Sequence, residues 1–149
     1  MGTRYLEDFT VGEVLETAPV TLSVGEMLEF SQLYDPQAFH TDPEAARSSP
    51  YGGLIASGLQ TIAVGFGQFI RLGYFTESSL GGPAMDDVNW LAPVRPDDEL
   101  ATTIEVLEVR PSNSKPDRGI LRFKIDMRVR EALVVHFVCT SFLRRRPAA

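Results

Sequence analysis

The segment Asp35-Pro-Gln-Ala-Phe-His40 contains one of the two histidines of the chain, five residues after an aspartate. A carboxylate beside an imidazole forms a proton-handling pair. The charge of the carboxylate fixes the tautomer of the ring, and either group can accept a proton from water. The residue types of this segment therefore predict general acid–base chemistry, provided that the two side chains meet.

The spacing of Asp35 and His40 restricts the backbone between them. Five residues of helix would turn the side chains about 140° apart, and an extended strand would place them on opposite faces. Convergence requires an irregular loop, which Pro36 favours because it disfavours helical geometry at Asp35. The alternative is that Asp35 caps a turn and that His40 is a half-buried structural histidine.

The backbone of Gly58 is a second candidate group. The segment SGLQTIAVGFGQFIRLG predicts a helix that Ser57 caps and Gly73 ends. The first N–H groups of a helix lack intrahelical partners and lie at its positive end, so the Gly58 N–H suits a developing oxyanion. A simple helix cap is the alternative. Apolar residues on all sides predict a buried helix, and Gly65 and Gly67 predict that a sheet packs closely against it.

The remaining pattern predicts the elements that must position these groups. Ser23 and Glu26 form a capping pattern for a helix that ends before Pro36. Its buried face is expected to comprise Val24, Met27, Phe30 or Leu33, and Tyr34. Asp42 before Pro43 predicts one or two further helical turns.

The second half of the chain reads as strands. An opening strand at about 13–22 is followed, after the helices, by strands at 85–91, 99–109, 120–130 and 133–143, the last two joined by a hairpin at Glu131-Ala132. This order predicts an α+β fold in one domain, residues 1–149, rather than repeated β-α-β units. A long helix wrapped by a bent antiparallel sheet is the hot-dog arrangement.

Composition argues against several classes of protein. The chain has 20 acidic and 14 basic residues and a net charge of −6, which disfavours binding to nucleic acid. A single cysteine, Cys139, rules out an internal disulfide and a cysteine-based metal site, and two histidines far apart argue against a histidine-rich one. With no signal peptide and no apolar run of membrane-spanning length, we expect a cytoplasmic protein that has no metal and does not associate with membranes.

Three segments together are similar to one known family. YDPQAFHTDPEAA, GGLIASGLQT and VNWLAPVRPDDEL resemble the MaoC-type dehydratases, the (R)-specific enoyl-CoA hydratase group of the hot-dog fold. This resemblance implies reversible hydration of a trans-2-enoyl thioester to an (R)-3-hydroxyacyl thioester. It implies that Asp35 and His40 activate water, that the Gly58 N–H holds the thioester oxygen, that no cofactor is needed, and that the chain forms a homodimer.

The chain departs from the family pattern at three positions. Gln37 and Ala38 replace the Asn and Pro of the hydratase signature, and Ser57 stands where many relatives carry histidine. Gln37, Ser57 and Arg95 are candidate substrate-binding residues, and Arg95 has the alternatives of a CoA phosphate contact or a surface salt bridge.

Two further residues are expected to have structural roles. His136 lies in the middle of a predicted strand with no partner evident in the sequence, and Trp90 is expected to pack in the core or at an interface.

Two other functions fit the same fold class. A hot-dog thioesterase would place its carboxylate on the central helix, where no Asp or Glu occurs between Gly58 and Leu72. A non-catalytic acyl-binding or subunit-pairing module would be expected to lack the Asp–His pair. The acyl chain length and the choice between CoA and acyl carrier protein are left open by the sequence.

Overall fold

An antiparallel sheet dominates the computed structural model, which describes residues 2–149. Its strands are β1 (Val14–Glu16), β2 (Val20–Thr21), β3 (Ala84–Trp90), β4 (Glu99–Pro111), β5 (Arg118–Val129) and β6 (Ala132–Arg144). They follow the order β1-β4-β5-β6-β3, with β2 also paired to β4. Between β2 and β3 lie the helices α1 (Val24–Tyr34), α2 (Ala38–Thr41), α3 (Pro43–Arg47) and α4 (Gly58–Ile70). The predicted α+β class is confirmed.

Alternating side chains of β5 form the centre of the core. Leu121, Phe123, Ile125 and Met127 are fully buried, and burying each such side chain contributes roughly 1.5 to 3 kcal/mol. The residues between them face the other side of the sheet, as the alternation in the sequence predicts. The hairpin between β5 and β6 also forms, but its turn lies at residues 130–131, one residue before the predicted Glu131-Ala132.

Helix α4 packs across the inner face of this sheet. The rings of Phe69 and Phe123 lie 4.7 Å apart between centroids. A Cβ on Gly65 would lie 2.6 Å from the Met127 sulfur, so the predicted close approach of the sheet occurs through a side chain rather than through backbone. The prediction of burial on all sides is wrong, because Leu59 is 52% exposed beside a cavity that opens to solvent.

The opening segment and α1 also differ from the predictions. The single strand expected at about 13–22 is split into β1 and β2, because Pro19 has no N–H to donate to a strand ladder. On α1, Met27 is buried as expected, but Leu33 and Tyr34 are 69% and 66% exposed. The predicted apolar face is only partly covered because α1 packs mainly on α2 and α4 rather than on the sheet.

The helix termini follow the local signals. Ser23 and Glu26 form a reciprocal capping box at the start of α1, and α1 ends at Tyr34, two residues before Pro36. Asp42 caps α3, with Pro43 at its first position. Within residues 2–149, no helix combines the length and the apolar character that crossing a bilayer requires.

Candidate active site

Asp35 and His40 meet where α1 turns into α2. Asp35 directly follows α1, and the His40 Nε2 lies 3.3 Å from its Oδ2. The sequence predicts an irregular loop between the two residues, but only its first part is irregular, because α2 begins at Ala38. Gln37 is extended, and its carbonyl accepts the His40 N–H at 2.9 Å, which starts this short helix. The turn at Asp35–Gln37 alone reverses the chain enough for the two side chains to converge.

The His40 ring is held in one orientation. The side chain is almost fully buried, and its Nδ1 lies 2.8 Å from the Ile55 carbonyl oxygen. A carbonyl can only accept a hydrogen bond, so Nδ1 carries a proton and donates it. The Ile55 N–H in turn donates to the Phe39 carbonyl at 3.1 Å. His40 therefore presents Nε2 to Asp35 and to the cavity.

Asp35 is held as a carboxylate by neighbouring donors. Ser57 Oγ donates to Oδ2 at 2.7 Å, and Gln37 Nε2 donates to Oδ1 at 2.8 Å. Partial burial would raise the pKa of Asp35, but the hydrogen bonds from Ser57 and Gln37, with a smaller contribution from the nearby His40 ring, outweigh it and leave the pKa below its usual value. Asp35 is therefore ionised at neutral pH.

Ser57 joins Asp35 to the start of α4. Its fully buried hydroxyl donates to Asp35 and also accepts the Leu59 N–H at 3.2 Å as the N-cap of α4. The sequence predicts the cap but not the contact with Asp35, which is 22 residues earlier. Ser57, a predicted substrate-binding residue, is not part of the cavity wall, and its hydroxyl contacts Asp35.

Gly58 begins α4 beside this pair. No oxygen within residues 2–149 accepts its N–H, as expected at a helix start. A Cβ added to Gly58 would lie 2.4 Å from the indole Nε1 of Trp90, so the close approach of this indole requires a glycine. Because Gly58 is the first residue of α4, its N–H lies at the positive end of the helix.

A cavity of about 610 Å³ connects these groups. It combines the polar residues of the Asp35–His40 turn with apolar residues from α4, the segment after β3, and β6. Its walls comprise Asp35, Gln37, Phe39, His40, Tyr51, Ile55, Ala56, Gly58, Leu59, Thr61, Trp90, Leu91, Ala92, Pro93, Val94 and Val135. A concave cavity in which apolar walls meet a few convergent polar groups is typical of small-molecule sites.

Arg95 lies outside the wall of this cavity but contacts one of its residues. Its guanidinium donates to the Tyr51 carbonyl at 2.6 Å, and its side chain is exposed. The expected alternative of a surface salt bridge does not occur within the described part of the chain.

His136 has two partners that the sequence analysis missed. Its Nδ1 lies 2.5 Å from Asp126 Oδ1, and its Nε2 lies 3.0 Å from Asp87 Oδ2. Partial burial would lower the pKa of His136, but the two carboxylates outweigh it and raise the pKa. Counting outward from the hairpin would have paired Asp126 with His136 to within one residue, whereas nothing local indicates Asp87.

Comparison with known proteins agrees with this architecture, which is the hot-dog fold. Residues 8–126 match the family model described as the MaoC like domain, so the chain belongs to this family. A MaoC-like dehydratase from Rhodospirillum rubrum superposes with a TM-score of 0.88, at 34% identity over 97% of this chain and 99% of that one.

Two other proteins are similar to this chain, one in sequence and one in fold alone. The Bacillus subtilis protein YdeM, which is uncharacterised, is 37% identical over 116 residues, covering 78% of this chain and 81% of YdeM. The (R)-hydratase from A. caviae shares the fold, with a TM-score of 0.70 at 20% identity over 95% of this chain and 99% of that one.

Proposed function

We propose that this protein adds water to a trans-2-enoyl thioester to give an (R)-3-hydroxyacyl thioester, and catalyses the reverse dehydration. The observation that carries this proposal is the 3.3 Å approach of His40 Nε2 to Asp35 Oδ2 in the wall of a cavity that Gly58 also lines. A dehydratase among the relatives and an (R)-hydratase of the same fold support it.

His40 is the proposed base. Because its Nδ1 proton is given to Ile55, Nε2 of the neutral ring is free to accept a proton from a water molecule that also donates to Asp35. The hydroxide equivalent bonds to C3 of the enoyl group, and His40 becomes an imidazolium beside the Asp35 carboxylate. The low pKa of Asp35 keeps it charged, so it stabilises the imidazolium rather than taking the proton itself.

The electron pair of the double bond moves onto the thioester oxygen. The Gly58 N–H and the positive end of α4 are the proposed stabilisers of this enolate oxygen. The imidazolium then returns the proton to C2, which completes the addition of one water and regenerates neutral His40. The C3–O and C2–H bonds form on the same face of the substrate, because the water and the His40 proton are both held by the turn that carries Asp35 and His40.

The carrier end of the substrate is proposed to leave the cavity near Tyr51 and Arg95. The exposed Arg95 guanidinium has no carboxylate partner in the described chain, and its bond to the Tyr51 carbonyl places it at the edge of the cavity. It is the proposed contact for a phosphate of coenzyme A, the carrier proposed here. Gln37, which lines the cavity while bonded to Asp35, is the proposed polar contact near the reacting carbons.

A homodimer in the cytoplasm is the proposed working form. Within residues 2–149, strand β3 pairs only with β6, and six of its seven residues are exposed, so one edge of the sheet is open to pairing with a second copy. Unpaired edges favour such association. The single thiol of Cys139 is buried and can form no internal disulfide, which suits a reducing compartment.

A series of trans-2-enoyl-CoA substrates of increasing chain length tests the function. Loss of the enoyl absorbance should be catalysed by the wild-type protein, and Asp35→Asn and His40→Ala should each lower kcat by about 10² to 10⁴-fold, the usual share of acid–base catalysis. Release of free CoA without hydration would instead indicate a thioesterase. Binding of acyl-CoA with neither reaction would indicate a non-catalytic module.

A further inference from the structure

A cluster of charged side chains lies on the face of the sheet opposite α4, away from the candidate active site. At its centre His136 is held between Asp126 of β5 at 2.5 Å and Asp87 of β3 at 3.0 Å. Both ring nitrogens thus face carboxylate oxygens, which favours the doubly protonated ring. Lys124 and Arg128 approach Asp126 at 3.9 Å and 3.6 Å, and Lys124 also pairs with Glu105 of β4 at 2.9 Å.

Asp87 is the residue at which β3 departs from regular strand geometry. The pairing of β3 with β6 shifts between Asp86 and Asn89, and Asp87 has a φ of 48°, a region that non-glycine residues seldom occupy. Asn89 Nδ2 donates to the Asp87 carbonyl and to its Oδ1, each at 3.0 Å. The His136 side chain therefore adds a contact between this bulge and the neighbouring strand β6, beside the regular pairing on either side.

The bulge controls the direction of the last residue of β3. A bulge bends its strand and re-aims the side chains that follow. Trp90 comes three residues after Asp87, and its indole covers Gly58, where an added Cβ would meet Nε1 at 2.4 Å. The charged cluster on one face of the sheet is thus linked through β3 to the start of α4 on the other.

We propose that His136 is a positioning residue which, with Asp126 and Asp87, fixes the β3 bulge and thereby holds the Trp90 indole against Gly58. The cluster has no contact with the cavity, so its effect passes through Trp90. Its loss is expected to weaken substrate binding while leaving the chemistry of Asp35 and His40 intact. The statement about binding rests on the proposed function, whereas the placement of Trp90 does not.

The composition of the chain gives a direct reporter, because Trp90 is its only tryptophan. Intrinsic fluorescence of the purified protein therefore reports on this indole alone. His136→Gln and Asp87→Gly are expected to shift the emission maximum and to increase quenching of Trp90 by iodide. Asp87→Gly introduces a residue that tolerates the positive φ and leaves the contact between His136 and Asp126 in place, so it serves if His136→Gln does not fold.

The matched control is Asp86→Asn. Asp86 is the neighbouring carboxylate on β3, and its ion pair with Arg122 at 3.8 Å does not involve the cluster around His136. The Trp90 emission of Asp86→Asn should equal that of the wild-type protein. The dependence of Trp90 emission on pH gives a second test. Raising the pH to deprotonate His136 should change the emission of the wild-type protein and of His40→Ala, but not that of His136→Gln.

The enzymatic readout separates positioning from general damage to the fold. With an enoyl-CoA substrate, His136→Gln and Asp87→Gly should raise KM by roughly 2- to 10-fold, as expected for loss of a hydrogen-bonded support, with kcat within twofold of the wild-type value. Folded variants with unchanged Trp90 emission would overturn the proposal. Changed emission in a protein without hydratase activity would refute the proposed function and leave the positioning role standing.

Discussion

Replacing Ser57 with alanine tests how the site is joined to its scaffold, because one hydroxyl serves two partners. Ser57 Oγ donates to Asp35 Oδ2 at 2.7 Å and accepts the Leu59 N–H at 3.2 Å. A hydrogen bond to a charged group contributes roughly 1.5 to 3 kcal/mol. Replacing a serine N-cap with alanine costs about 0.5 to 2 kcal/mol. Together the two losses should lower the free energy of unfolding by roughly 2 to 5 kcal/mol.

Ser23→Ala is the matched control for this variant. Ser23 caps α1 by accepting the Glu26 N–H at 3.1 Å, a bond like that of Ser57 to Leu59, but it donates to no active-site carboxylate. Urea unfolding at pH 7 should show that Ser57→Ala is the more destabilising by about 1.5 to 3 kcal/mol, the contribution of the bond to Asp35. Equal losses for the two serines would refute the role assigned to Ser57.

The pH dependence of the same comparison gives a second check. The pKa of Asp35 is lowered in the folded protein, so its ionised form contributes stability above the unfolded value of 3.8 and loses it as the pH falls through the folded pKa. Ser57→Ala removes a donor and raises the Asp35 pKa. The difference between the two serine variants should therefore shrink as the pH falls below 3.8 toward the lowered folded pKa of Asp35.

Three further outcomes are expected. Gly58→Ala should displace the Trp90 indole, shift its emission, and lower kcat/KM by up to about 10²-fold, the cost of misplacing groups by roughly 1 Å; unchanged emission would contradict the contact. The raised pKa of His136 should stabilise the fold fully below pH 6.5 and progressively less as the pH rises through the folded pKa. The difference in Tm between wild type and His136→Gln should accordingly be largest below pH 6.5, and a difference that grows with pH would refute this. Light scattering at micromolar concentration should show a homodimer, and a monomer alone would remove the proposed β3 interface.

Local signals predicted the elements of the fold well. The capping pairs Ser23 with Glu26 and Asp42 with Pro43 act within three residues, so the sequence carries all the information that starts α1 and α3. The alternation along β5 likewise reflects a sheet with one face in the core and the other turned away from it. The buried face of α1 could not be predicted in this way, because the burial of its apolar residues depends on which other elements pack against the helix, and none of those within residues 2–149 covers Leu33.

The candidate site was predictable only where its residues are close in the chain. The convergence of Asp35 and His40 requires one turn between two helices, and Pro36 indicates that turn. The bond from Ser57 to Asp35 spans 22 residues, and the contact of His136 with Asp87 spans 49. Such contacts depend on how α4 and β3 pack against their neighbours, which no local pattern of residues encodes.

The configuration of the product tests the central claim most directly. If water is held by Asp35 and His40 while Gly58 fixes the thioester oxygen, only one face of the double bond can receive the hydroxyl group. Chiral analysis of the product from a short trans-2-enoyl-CoA in deuterium oxide should show the (R)-3-hydroxyacyl thioester, with deuterium added at C2 from the same face. A predominantly (S) or a racemic product would contradict the assigned arrangement of base, water and oxyanion donor.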